Sequence, residues 1–227
     1  MNYEIIKDPA ILREFIDWLP ELEPHETYYL ALFARNKYAR DIKHIQTDKA
    51  QLKRVVTKKD RIESKIKQME CAVGSYTHKG DTIPQEALAL YITPNPRCQI
   101  KAAKYAARRL VELVTEPYSN YNTHQIAMSE VHKACSRKVY FDMDFDGVDL
   151  DPILHEMIHY INMDAITVLQ TRGGFHILVE LKKIRDGYVK TWYKGMTTIT
   201  GCDIKGDNMI PVPGCTQGNF IPSFLYT

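Results

Sequence analysis

Three aspartates alternate with apolar residues in Val139-Tyr140-Phe141-Asp142-Met143-Asp144-Phe145-Asp146. In a strand, successive side chains point to opposite faces. Asp142, Asp144 and Asp146 then share one face, while Phe141, Met143 and Phe145 share the other. Like charges held this close destabilise one another unless a cation neutralises them. Hard carboxylate oxygens suit Mg²⁺ or Mn²⁺. The chemistry this points to is two-metal phosphoryl transfer.

Two later segments carry groups that suit the same chemistry. In Thr171-Arg172-Gly173-Gly174-Phe175-His176, adjacent glycines permit a tight turn and close approach of backbone N–H groups to a phosphate. His176 would donate to a triphosphate oxygen, and Arg172 would add positive charge. In Cys202-Asp203-Ile204-Lys205-Gly206-Asp207, Asp203 is a candidate third carboxylate and Asp207 its rival. Lys205 shares a strand face with Asp203 and would neutralise phosphate.

One motif points to a different reaction. His155-Glu156-Met157-Ile158-His159 matches HExxH, in which two histidines four apart on a helix bind Zn²⁺ and the glutamate acts as general base. Glu180 or Asp164 would be the third ligand of such a metalloprotease. The same helix carries an apolar stripe through Leu150, Ile153, Leu154, Met157, Ile158 and Ile161, with Glu156 opposite its centre. That pattern equally describes a solvated helix packed on a sheet.

These residues need elements to hold them. Asp8-Pro9 reads as an N-cap and first helical residue, opening a helix that stops at Pro20. Thr27 to Ala34 reads as a buried strand, followed by the basic Arg35-Asn36-Lys37-Tyr38. Apolar periodicity predicts a helix from Gln51 to Met69 whose other side carries Lys53, Arg54, Lys58, Lys59, Arg61, Lys65 and Lys67. A strand at 87–93 ends at Asn95-Pro96-Arg97. A helix follows through Ala102, Ala106, Leu110 and Val114, exposing Lys101, Lys104, Arg108 and Arg109, and a short helix covers 123–135. Such basic faces suit the backbone of a nucleic acid, and equally suit plain solvation. The second half reads as the acidic strand, a helix over 150–162, strands at 165–169 and 175–181, a helix over 188–198 and a final strand at 209–213. This β-α-β-β-α-β order matches the ferredoxin-like, or RNA-recognition-motif, topology.

The chain has 227 residues, 44% of them hydrophobic, and a formal net charge of +2. That length suits one large or two small domains. No linker separates the halves, so one two-lobed unit is expected, with 1–135 as an accessory lobe and 136–227 as the second. Five scattered cysteines without a CxxC pair fit reduced thiols in a cytoplasmic protein. The acidic N-terminus lacks the apolar core of a signal peptide. No apolar run reaches the length of a membrane span.

The ordered trio of Asp142-Met143-Asp144, Thr171-Arg172-Gly173-Gly174-Phe175-His176 and Asp203-Ile204-Lys205-Gly206 resembles the motifs of the archaeo-eukaryotic primase superfamily. The third is similar to the version in plasmid and phage primase-polymerases, and Tyr91-Ile92-Thr93-Pro94-Asn95-Pro96-Arg97 resembles an element of mobile-element members. The resemblance covers roughly residues 87–214. It implies an α+β fold, an RRM-like catalytic palm with an antiparallel sheet plus an N-terminal α/β lobe. It implies a template-dependent nucleotidyltransferase that makes or extends primers on single-stranded DNA from NTPs or dNTPs. Asp142, Asp144 and Asp203 would hold two Mg²⁺ or Mn²⁺ ions, and Asp146 would orient a ligand or water. His176, Arg172, Gly173, Gly174, Lys205 and Arg97 would bind phosphate. A helicase or other replication protein would be a partner, in a bacterial, archaeal or phage-infected cell. The non-enzyme alternative is an RRM-like nucleic-acid-binding module. Such modules stack bases on exposed sheet aromatics, whereas the face expected here carries carboxylates.

Overall fold

The ten residues Glu26–Arg35 form a strand buried along nearly its whole length, and the rest of the first half is arranged around it. Even-numbered Tyr28, Leu30, Leu32 and Ala34 enter one core, while Tyr29, Ala31 and Phe33 enter another. A strand buried on both faces needs hydrogen-bonded neighbours at both edges, because an unpaired buried N–H or C=O costs free energy.

The computed structural model describes residues 1–39, 49–115 and 122–226. Along the chain run α1 (Pro9–Trp18), β1 (Glu26–Arg35), β2 (Lys49–Thr57), α2 (Ile62–Lys67), β3 (Thr77–His78), β4 (Asp81–Thr82), β5 (Leu88–Ile92), β6 (Arg97–Cys98), α3 (Gln99–Thr115) and α4 (Thr123–Lys133). There follow β7 (Tyr140–Asp146), α5 (Leu150–Met157), β8 (Ile166–Gln170), β9 (Gly174–Glu180), α6 (Trp192–Met196), β10 (Cys202–Gly206), β11 (Ile210–Pro211) and β12 (Ser223–Tyr226). The fold is mixed α+β with antiparallel sheets. One sheet has the order β11-β5-β1-β2, with β6 also paired to β1; the other has the order β10-β7-β9-β8-β12.

The helix expected over 51–69 is instead a strand and a short helix. β2 pairs with β1 from Tyr28↔Thr57 to Arg35↔Lys49, and only Ile62–Lys67 is α-helical. The need of β1 for an edge partner, and the β-branched Val55-Val56-Thr57, outweigh the helical spacing. The basic face assigned to that helix dissolves with it. Lys58 Nζ donates to the carbonyls of Pro24 and Glu26, and Lys59 Nζ to that of Leu19 and to Glu21. Two other helices are shorter than expected, α5 ending at Met157 and α6 spanning only Trp192–Met196. The expected final strand shrinks to β11, which pairs with β5 in the first sheet. The place beside β7 goes to β10.

In the second sheet, Met143, Phe145, Ile166, Val168, Ile177 and Val179 pack with residues of α5 and α6 on one face. On the other face, Tyr140, Leu169 and Leu178 join the core of α1, α2 and the first sheet. Trp18 stacks on Tyr140 with ring centroids 4.2 Å apart. This shared core closes one end of the interface between the sheets. Beyond it the apolar residues give way to Asp144, Asp146 and His176, and a cleft opens. Gly214 secures the start of α1. It has φ +76°, and a Cβ there would meet Asp8 O and Leu12 N at 2.5 Å. Its carbonyl accepts the N–H groups of Lys7 and Asp8, while Asp8 Oδ1 caps Ala10 and Ile11.

Candidate active site

β7 lies between β9 and β10, so the three distant segments become neighbours. Asp144 is opposite His176 on one side and Asp203 on the other, and Asp146 is opposite Gly174. Residues directly opposite in a ladder share a face. Lys205, two residues beyond Asp203 on β10, reaches that face too. His176 Nδ1 is 2.8 Å from Asp142 Oδ1, and its Nε2 is 3.7 Å from Asp144 Oδ1. Lys205 Nζ hydrogen-bonds the Asp203 carboxylate and lies 3.5 Å from Asp144 Oδ2.

Burial raises the Asp144 pKa above the ordinary aspartate value, and Asp146 and Asp142 add to the effect against His176 and Lys205. For His176, burial works against the charged ring. The Asp142 carboxylate, then Asp144 and Asp146, outweigh it and raise the pKa above the ordinary histidine value. The Lys205 pKa is also raised, chiefly by its hydrogen bond to Asp203. Carboxylates favour the charged form of each of these two basic groups.

Asp142 is fully buried, and its Oδ2 has no hydrogen-bond partner among the described residues. An unpaired buried carboxylate oxygen is costly and marks a place where an ion or water belongs. Among the described residues, no cluster of three or more His, Cys, Asp or Glu side chains is arranged to hold a metal. The Lys205 ammonium instead sits between Asp203 and Asp144, in the position of a cation. Carboxylate oxygens are the hard donors that a divalent ion takes, and here an ammonium stands where such an ion would.

The glycine pair closes β9 against β7. A Cβ on Gly174 would lie 1.9 Å from the carbonyl oxygen of Phe145, and one on Gly173 would lie 2.6 Å from Asp146 Oδ1. The Gly173 carbonyl accepts from Gly147 N, and that of Gly174 from Thr171 N. Gly173 and Thr171 line the cleft.

Two expected phosphate-binding arginines are placed elsewhere. Arg97 is only 1% exposed and forms a two-pronged ion pair with Asp207, at 2.6 and 2.9 Å. Asn95 Nδ2 donates to the same carboxylate, and Asn95 Oδ1 accepts from the N–H groups of Val139 and Tyr140. The Asn-Pro-Arg element is thus a strut joining β6, the start of β7 and the β10–β11 connection. It also removes Asp207 from the carboxylate cluster. Arg172 lies with its guanidinium 4.4 Å from the Tyr38 ring centroid, and its N–H donates to Gln217.

The opposite wall went unassigned in the sequence. Phe33, Arg35, Lys37, Tyr38, Lys49 and Tyr91 from the first sheet and its margins face Asp144, Asp146, His176 and Lys205 across a cleft of about 230 Å³. Arg35 Nη1 donates to the Tyr91 hydroxyl at 2.7 Å, and its guanidinium lies 5.7 Å from the Tyr38 ring centroid. Burial raises the Tyr38 phenol pKa well above its usual value. The available signal was a basic cluster directly after a buried strand.

The HExxH histidines are not brought to a common site. α5 ends at Met157, so His159 falls on the turn beyond it, and both histidines are exposed. Asp164 is held by Asn162 and Arg185, and Glu180 by Lys183. On α3, Lys101, Lys104 and Arg108 are exposed, with Lys101 donating to the Cys135 carbonyl and Arg108 to Glu112.

Comparison of the chain with protein-family models, curated proteins and solved structures finds no match. Among the described residues, no helix is long and apolar enough to cross a membrane.

Proposed function

We propose that this chain is a template-directed nucleotidyltransferase of the primase or primase-polymerase kind, built on an RRM-like palm. The observation that carries the reading is the convergence of Asp142, Asp144, His176 and Asp203, from three separated segments, on one face of three adjacent strands. The spatial order β10-β7-β9-β8, with α5 and α6 on the reverse face, is the order a ferredoxin-like βαββαβ unit requires. The cationic wall opposite adds what a polyphosphate substrate needs.

Asp142, Asp144 and Asp203 would hold two Mg²⁺ or Mn²⁺ ions. When bound, such ions lower the pKa of an attacking 3′-hydroxyl and neutralise charge on the departing pyrophosphate. The protein's own groups supply the positioning. Asp142 accepts from His176 Nδ1 and so turns Nε2 toward the cleft, where it would donate to a phosphate oxygen. Lys205 would exchange its carboxylate partners for phosphate. Gly173 leaves the loop narrow enough for Asp146 to stand beside it and orient a ligand or water.

The test is primer synthesis and extension on single-stranded DNA with NTPs or dNTPs and Mn²⁺ or Mg²⁺. Asp142→Ala/Asp144→Ala is expected to lower the rate by about 10³-fold or more. The substitution also takes from His176 its buried Asp142 partner, so melting curves are run beside the assay and the rate is referred to folded protein. Activity that survives the double substitution would sink the proposal.

A further inference from the structure

We propose that Lys205 is the built-in counter-ion of the carboxylate cluster, a side chain that a divalent ion has to displace before Asp144 and Asp203 can share it. This rests on the reading of those two aspartates as metal ligands. It adds a competition between one of the chain's own side chains and the metal, with the displaced ammonium left free for the substrate's phosphates.

The ammonium hydrogen-bonds Asp203 and lies 3.5 Å from Asp144 Oδ2. The two carboxylates it joins differ in surroundings. The Asp144 side chain, within β7, is 14% exposed, and that of Asp203, on β10, is 68% exposed. Burial strips Asp144 of most of its hydration, and Asp142 and Asp146 share its face of the strand. A positive charge at this point relieves the repulsion among them.

The same point is the one a metal needs. Oxygens bound to one Mg²⁺ lie about 2.1 Å from it, and so within about 4 Å of one another. For Asp144 and Asp203 that place is between the two carboxylates, where the ammonium stands. The two cations exclude one another, because an ammonium has three donors and no lone pair to offer as a ligand. Hydrogen bonds from an ammonium span about 2.8 Å, longer than a bond to Mg²⁺, so the carboxylates must also draw together in the exchange. Among the described residues no three such groups are already closed on a metal position.

The placement of Lys205 lets it leave. β10 is the outermost strand of its sheet, and its ladder with β7 is irregular between Ile204 and Gly206. The Lys205 side chain is 27% exposed, and its flexible four-carbon stem can swing the ammonium without moving the strand. Lys205 lines the cleft, so the released ammonium can meet a phosphate there without a change of fold.

The experiment is Mn²⁺ binding to the full chain, read by calorimetry and by the paramagnetic resonance of free Mn²⁺. Lys205→Met, which keeps an unbranched stem without the charge, is expected to bind Mn²⁺ roughly tenfold more tightly than wild type, the scale of one charged hydrogen bond that no longer has to be broken. Lys205→Arg keeps the charge and should not gain affinity. Lys37→Met removes a cation that lines the same cleft but lies against the Tyr38 ring, and should stay within about twofold of wild type. Without metal, Lys205→Met should melt below wild type, and Mn²⁺ should raise its melting temperature by more. Unchanged affinity in Lys205→Met, with binding that Asp144→Asn abolishes, would overturn the inference and leave the metal site standing. An equal gain in Lys37→Met would also overturn it, since charge anywhere in the cleft would then serve. Mn²⁺ that does not bind, or that binds regardless of Asp144→Asn, would remove the metal reading and the inference together. A gain in Lys205→Met without any primer extension by wild type would uphold the counter-ion and remove the nucleotidyltransferase reading.

Discussion

The two sheets face each other across one cleft and load it in opposite ways. The second sheet presents its charges from mid-strand. Asp142, Asp144 and His176 sit within β7 and β9, on a face that is apolar at one end and polar at the other. The first sheet presents its charges from strand ends, with Arg35 closing β1 and Lys49 opening β2. The reason is burial. The middle of β1 is covered on both faces by separate cores, so charge has room only where those cores stop. On β7 only one face is covered along its length, and alternation can place carboxylates on the other. A half-buried strand can therefore hold a site anywhere along it, whereas a doubly buried strand can hold one only at its ends.

Breaking the strut between the sheets should have the largest effect on stability. Arg97→Ala leaves the part-buried Asp207 without its ion-pair partner, and is expected to cost about 3–5 kcal/mol. The shift in urea midpoint measures this. An unchanged midpoint would show that the two walls are aligned by the shared core alone.

Gly174→Ala attacks the carboxylate wall only. Its Cβ would meet the Phe145 carbonyl oxygen at 1.9 Å, forcing β9 away from β7 at an expected cost of about 1–3 kcal/mol. His176 should move with the strand, so primer extension should fall by more than the loss of folded protein explains. Parallel melting curves and rate measurements separate the two. A variant with full rate at full occupancy would mean that the carboxylate wall tolerates a shifted β9.

Acid should act more gently and on the first sheet. Burial alone would raise the Glu26 pKa, but hydrogen bonds from Arg137 and neighbouring groups bring it below the ordinary value of 4.5. Asp207, through Arg97, is likewise held below 3.8 despite its burial. Carboxyls with depressed folded pKa values stabilise the protein fully above their unfolded pKa, and lose that contribution as pH falls through the folded one. The melting temperature should therefore hold down to about pH 4.5 and decline below it. Glu26→Gln should shallow that decline, and an identical decline in this variant would assign it to other groups.

Much of this layout can be read from the chain alone. Alternation of Asp with Phe and Met determined both the strand at 140–146 and its charged face, because a two-residue period has one geometric outcome. The Asp8-Pro9 cap, the strand at 26–35 and the helices over 99–115 and 123–133 were equally legible, each from local chemistry. The segment 51–69 was not. Its spacing fits a helix, and only the unpaired edge of β1 makes it a strand.

The candidate site divides in the same manner. Alternation of charge with apolar residues singled out Asp142 and Asp144, whereas His176 and Asp203 were legible only through the resemblance of the three ordered motifs to a primase superfamily. Only the tertiary structure decided which arginines face the cleft. In the sequence Arg97 and Arg35 each come just after a buried apolar run, and nothing local distinguishes a guanidinium that meets Asp207 from one that meets Tyr91. Their partners lie far away in the chain, and long side chains take their roles from whatever the fold brings within reach.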